Sequence, residues 1–121
     1  MKKYTLQKSP FSVPTTDGKK IEEHFGKPST NDDGLSIAKM VAPPGWSEPF
    51  QTPEFDEYTF VIKGKKQFII SGETIILEAG ESIKIEKNTR VQYSNPFTEA
   101  CEYLAICLPA FDFTKVHREE A

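Results

Sequence analysis

Residues 57–88 read Glu57-Tyr58-Thr59-Phe60-Val61-Ile62-Lys63-Gly64-Lys65-Lys66-Gln67-Phe68-Ile69-Ile70-Ser71-Gly72-Glu73-Thr74-Ile75-Ile76-Leu77-Glu78-Ala79-Gly80-Glu81-Ser82-Ile83-Lys84-Ile85-Glu86-Lys87-Asn88. Gly64, Gly72, Gly80 and Asn88 recur at eight-residue intervals, and each is a type that tolerates a left-handed backbone. Turns at that interval frame strands. The intervening runs are β-branched or aromatic, and 82–85 alternates cleanly, with Ile83 and Ile85 set against Ser82, Lys84 and Glu86. This is the rhythm of successive hairpins rather than of a solenoid repeat.

The pattern extends outward from this stretch. Downstream, 90–94 and 102–108 read as strands; upstream, 35–42 is a strand closed by Pro43-Pro44-Gly45, and 20–25 is a weaker one. Short strands at such spacing predict an all-β sandwich or barrel. The runs 58–62 and 103–108 are apolar on both faces, so one face fills the interior and the other needs a cover, for which a second subunit is the simplest. The Lys65-Lys66 pair beside Gly64 reads as a solvated hairpin tip. Residues 27–34, rich in Pro, Ser, Asn, Asp and Gly, read as a loop. Only 111–119, Phe111-Asp112-Phe113-Thr114-Lys115-Val116-His117-Arg118-Glu119, reads as helical, with Asp112 or Thr114 as N-cap.

With 121 residues the chain suits one ordinary domain, large enough to fold without disulfide or metal staples. Fifteen Lys and Arg against eighteen Asp and Glu give a net charge of -3 with no basic block, which argues against nucleic acid as a partner. The basic start Met1-Lys2-Lys3 is followed by Ser9, Pro10, Ser12 and Pro14 where a signal peptide needs an apolar run, and no stretch approaches a membrane span. A cytoplasmic protein with no membrane partner is expected. Cys101 and Cys107 share one predicted strand; six extended residues span ~20 Å, and a disulfide needs Cα atoms within about 7 Å. Both are expected as buried thiols.

The frame Gly45-x5-Gln51-x-Pro53-x3-Glu57-x6-Gly64 resembles the first motif of the cupin superfamily, where the Gln51 and Pro53 positions are usually His and the Glu57 position Glu. Gly80-x5-Glu86-x-Asn88-x2-Val91-x3-Asn95-Pro96 is similar to the second motif, with Pro, Gly and His usual where Glu86, Asn88 and Val91 stand. The resemblance spans roughly residues 35–110. It implies a small double-stranded β-helix, or jelly-roll, barrel, often dimeric, here with a short C-terminal helix. The corresponding division is an N-terminal portion, 1–34, belonging to the barrel or a dimer contact, a cupin core at 35–110, and a helical tail at 111–121. It also implies that Gln51, Pro53, Glu57 and Val91 project inward.

Three of those four positions depart from the metal-binding pattern. A Gln carbonyl is a weak ligand, and Pro and Val offer no side-chain donor, so no metal cofactor is expected at the usual site. A divalent metal stays open only through a displaced set of Glu57, Gln51 and His24. Glu57, facing an apolar interior, is the first candidate for a catalytic carboxylate, since desolvation raises a carboxyl toward the range of a general base. Its alternative is a structural hydrogen bond to Gln51 or Tyr93. Tyr93 shares a strand face with Val91 and is the candidate acid; packing alone is its other role.

Gln51, Val91, Thr59, Trp46 and Cys107 are the candidate substrate contacts. Thr59 shares parity with Glu57, Cys107 shares a face with Tyr103 and Ala105, and Trp46 caps one barrel end as a lid, a dimer contact or plain packing. His117, beside Arg118, reads as a surface residue. The expected function is a homodimeric, small-molecule-binding cupin-like protein. If it is an enzyme, it is an isomerase or epimerase moving a proton on a sugar or small carboxylate. A metal-dependent isomerase, lyase or dioxygenase, or a non-catalytic binding module, are the alternatives.

Overall fold

A computed structural model describes residues 3–120. Ten strands follow in order: β1 Phe11–Val13, β2 Lys20–Phe25, β3 Ser36–Ala42, β4 Trp46–Ser47, β5 Asp56–Lys63, β6 Lys65–Ile70, β7 Glu73–Glu78, β8 Ser82–Ile85, β9 Val91–Asn95 and β10 Cys101–Leu108. Two antiparallel sheets result, one ordered β1-β2-β3-β10-β5-β8 and the other β4-β9-β6-β7.

The turn residues behave as their spacing predicts. Gly64, Gly72, Gly80 and Asn88 all take positive φ, at 80°, 75°, 88° and 65°. Gly64 has a second reason to be glycine: a Cβ there would collide with the Ala100 carbonyl oxygen. The strands read from sequence at 20–25, 35–42, 57–62, 66–70, 73–77, 82–85, 90–94 and 102–108 are present within a residue or two at each end. Two were not anticipated, β1 and the two-residue β4, because three residues or fewer carry no detectable alternation.

The expected C-terminal helix is absent. A single 3₁₀ turn, Phe113–Lys115, stands in its place, capped by Asp112, whose carboxylate accepts from Thr114 N at 3.0 Å. The remaining tail is extended because its backbone bonds to another segment: Thr52 N donates to Val116 O, Glu54 N to Lys115 O and Glu119 N to Phe50 O. His117 takes a positive φ of 50°, which ends any helical run. The loop at 27–34 contains one helical turn, Lys27–Thr30, started by Pro28 within its first turn.

The sheets face each other over a cluster that includes Ala42, Val61, Phe68, Leu77, Ile85, Val91 and Cys101. Phe68 and Tyr93 meet edge-to-face with ring centroids 5.7 Å apart. The two sequence motifs join directly: Gln51 and Val91 form an antiparallel bridge, each N–H donating to the other's carbonyl at 2.9 and 2.8 Å. Asn88 N donates to Pro53 O at 2.6 Å, tying the motifs at a second point. On the outer face of the larger sheet, Phe60, Ile62 and Leu108 remain exposed.

Candidate functional site

Strand parity decides what the space between the sheets contains. Along β5 the inward positions are Glu57, Thr59 and Val61; along β10 they are Cys101, Tyr103, Ala105 and Cys107; along β6 they are Lys66 and Phe68. At one end these side chains stop filling the interior and line a cavity of about 430 Å³. Residues of the 13–19 segment and of the tail complete its wall.

Tyr93 Oη donates to Glu57 Oε1 at 2.8 Å on that wall. Burial and the adjacent Glu57 carboxylate push the Tyr93 phenol well above its usual range, so it stays protonated and holds the carboxylate. Lys66 is 2% exposed, and its ammonium lies 3.7 Å from the Tyr103 ring centroid, 4.6 Å from Tyr93 and 5.0 Å from Phe68. No carboxylate among the described residues forms an ion pair with it. Burial pulls its pKa down to about 8, an effect that the Glu57 charge only partly offsets.

A second polar group flanks the first. Buried Glu48 receives Lys19 at 3.6 Å and Arg118 at 2.9 Å, and Arg118 also donates to Gln51 Oε1 at 3.1 and 3.3 Å. The extended tail is what delivers Arg118 to this place. Trp46 Nε1 donates to Asp17 Oδ2 at 2.8 Å. Burial would raise the Asp17 carboxyl, but this bond and the Lys19 backbone N–H and charge together lower it.

Of the residues singled out from sequence, Glu57, Tyr93, Gln51 and Cys107 lie on the cavity wall. Gln51 is bonded to Arg118 and not to Glu57. Cys107 is a buried thiol whose pKa is pushed far up by desolvation and by Glu57, the reverse of an activated nucleophile. Val91, Thr59 and Trp46 lie off the wall. Val91 and Trp46 are packed into the core, and the buried Thr59 hydroxyl has no partner. His24 is also off the wall; its neighbour Glu23 faces the cavity instead, since adjacent residues on a strand point oppositely. His117 sits on the exposed tail against Glu54.

The reading of Lys65-Lys66 as a solvated pair is corrected. Lys65 points outward, but Lys66 is inward because it keeps parity with Phe68, a signal already present in the alternation. Glu48, Lys19 and Arg118 carried no such signal, since they come from irregular segments brought together only by folding.

The residues at the usual metal positions do not fit a transition metal. Gln51 Oε1 is occupied by Arg118, Pro53 and Val91 have no donor, and an ammonium faces the same space. The displaced set also fails geometrically, as His24 does not reach the cavity, and among the described residues no three His, Cys, Asp or Glu side chains gather.

Residues 38–107 match the profile of the Cupin domain. The chain belongs to the cupin family. Over 107 residues this cupin is 43% identical to a protein of Myxococcus xanthus named Endoribonuclease YbeY, covering 88% of the chain and 36% of that protein, so it spans about a third of that relative's length. Among solved structures it is similar to a variant of Streptomyces PAC13 with uridine, at TM-score 0.77 and 16% identity over 99% of this chain and 93% of that one. It is also similar to the polyketide cyclase RemF of Streptomyces resistomycificus (0.76, 16%, 100% and 87%) and an RmlC-like cupin of Shewanella frigidimarina (0.73, 14%, 94% and 96%). These likenesses establish a shared fold. No helix among the described residues is long and apolar enough to cross a membrane.

Proposed function

We propose that this cupin binds a small carbonyl compound, a sugar or small carboxylate, and moves a proton on the carbon beside the carbonyl without a metal, as an isomerase or epimerase does. The observation that carries this reading is the Tyr93–Glu57 hydrogen bond on the wall of a cavity that also holds Lys66. In it, Glu57 removes the proton. Tyr93 is a positioning residue: its phenol keeps its own proton and fixes the carboxylate's direction. Lys66 supplies the positive charge toward which negative charge shifts as the C–H bond breaks, a role that a metal ion fills elsewhere.

A volume near 430 Å³ suits a molecule of monosaccharide size. Lys19, Lys66 and Arg118 share the wall with Asp17, Glu23, Glu48 and Glu57, so it offers hydrogen-bonding groups of both signs to the hydroxyls and carbonyl of the substrate. Gln51 is positioned beside Arg118 as an anchor. A second copy of the chain is the cover this reading assigns to exposed Phe60, Ile62 and Leu108, checked by light scattering in solution.

The test is proton exchange. Protein in D₂O is incubated with aldoses, ketoses and 2-oxo acids, and loss of the proton beside the carbonyl is followed by NMR. Exchange that collapses in Glu57→Gln, with folding intact by circular dichroism, supports the reading. Binding without exchange on any of these compounds would instead make the protein a binding module.

A further inference from the structure

Lys66 is buried against aromatic rings without a salt bridge among the described residues. It stands on an inner strand of its sheet and is among the residues lining the cavity, with its nitrogen packed against three aromatic rings. A hydrophobe of equal length would fill the same space more favourably. What a lysine adds at such a place is an amine that loses its proton readily and is screened from water. Its backbone is fixed opposite Leu77 in the β6–β7 ladder and its nitrogen is packed against the Tyr103, Tyr93 and Phe68 rings, so the amine is held rather than searching.

We propose that Lys66 forms a reversible imine with the carbonyl carbon of the aldehyde or ketone bound in this cavity. This rests on the proton-transfer reading of Glu57 and deepens it by naming how the carbonyl is activated. The neutral Lys66 nitrogen adds to the carbonyl carbon; a C–N bond forms and the C=O π pair moves to oxygen. The nitrogen sheds one proton, which Glu57 relays to that oxygen. Glu57 then takes one proton from solvent and delivers it to the resulting hydroxyl, which leaves as water while the nitrogen lone pair closes the C=N bond. The sum is amine plus carbonyl plus one proton giving protonated imine plus one water, with no redox change. The iminium then accepts the electron pair released when Glu57 removes the adjacent proton.

Groups facing Lys66 from the surrounding elements are Glu57 from β5, Tyr93 from β9, Tyr103 and Cys101 from β10, and Lys19 and Glu48 from the connecting segments. With its pKa near 8, about half of the amine is neutral at pH 8.

The experiment uses the full chain with glyceraldehyde, dihydroxyacetone and pyruvate as probes, followed by sodium borohydride, intact-mass measurement and peptide mapping. The expected result is one reduced adduct per chain on the peptide carrying Lys66, absent in Lys66→Met and Lys66→Arg, and approaching half of its maximal yield near pH 8. Labelling spread evenly over surface lysines, or unchanged in Lys66→Met, overturns the proposal, as does no labelling with any of the three probes. The two readings separate cleanly. Glu57-dependent exchange in D₂O without a Lys66 adduct removes the imine and keeps proton transfer; a Lys66 adduct with exchange indifferent to Glu57→Gln keeps the imine and removes Glu57 as the base.

Discussion

β5 enters the space between the sheets as Glu57 and, four residues later, as Val61; β6 enters it as Lys66 and then as Phe68. The same two strands, through the same faces, thus build two different interiors. Around Val61, Phe68, Leu77, Ile85 and Val91 the sheets close on one another over a mainly apolar cluster. Around Glu57, Lys66 and Tyr93 they stand apart over a cavity edged by Glu48, Lys19 and Arg118. The closed half stabilises the fold through apolar burial. The open half carries a desolvated amine that costs stability, and it persists because the closed half offsets that cost.

The sharpest way to break this comparison is at Glu57. Glu57→Gln keeps the shape and the Tyr93 contact but removes the base, and proton exchange should fall about 10²- to 10⁴-fold, read by NMR in D₂O. An equal rate in the variant would leave the open half without a chemical role.

In the closed half, Phe68→Ala should cost about 3–5 kcal/mol, measured by urea denaturation. Phe68 is fully buried in the cluster, with the Tyr93 ring 5.7 Å and Lys66 Nζ 5.0 Å from its own ring centre, so its removal leaves a cavity inside the packed sheets. A loss below about 1 kcal/mol would mean that the two halves do not divide stability in this way.

Lys66→Met should act in the opposite direction on stability, with a gain of about 3 kcal/mol below pH 8, from a lysine whose folded pKa is about 8 rather than 10.5. Between those values the unfolded chain binds more protons than the folded one, so wild-type stability rises with pH across that window. The advantage of the variant is therefore full below pH 8 and fades toward pH 10.5. Denaturation midpoints taken at pH 7 and pH 10 check the sign. A variant less stable than wild type at pH 7 would show that the amine contributes to the fold.

The smallest expected effect lies at the boundary between the halves. The Thr59 hydroxyl is buried without a partner, and Thr59→Val should stabilise by about 1 kcal/mol. A destabilised Thr59→Val would reveal a hydrogen bond made by that hydroxyl, found by the same denaturation series.

Much of the fold was legible because it is local. Gly64, Gly72, Gly80 and Asn88 mark turns by their backbone tolerance, and alternation between them assigns faces. Glu57, Gln51 and Tyr93 were reachable in this way, through motif position and parity. Lys66 was misread although its parity with Phe68 was visible, because charge next to a glycine turn was weighed above periodicity. The tail was read as a helix since its residue types permit one; its backbone hydrogen bonds to 50–54 are non-local and leave no mark in its own pattern.

Sequence by itself determined eight of the ten strands, the turns between them, the inward placing of Glu57 and Tyr93 and the loss of imidazoles at the cupin motif positions, since these follow from residue type and from a period of two. Tertiary structure decided where the interior is full and where it is hollow, that Arg118 and Lys19 converge on Glu48, and that Lys66 ends beneath three rings. Those outcomes depend on distances between segments far apart in the chain, and neither periodicity nor propensity encodes such a distance.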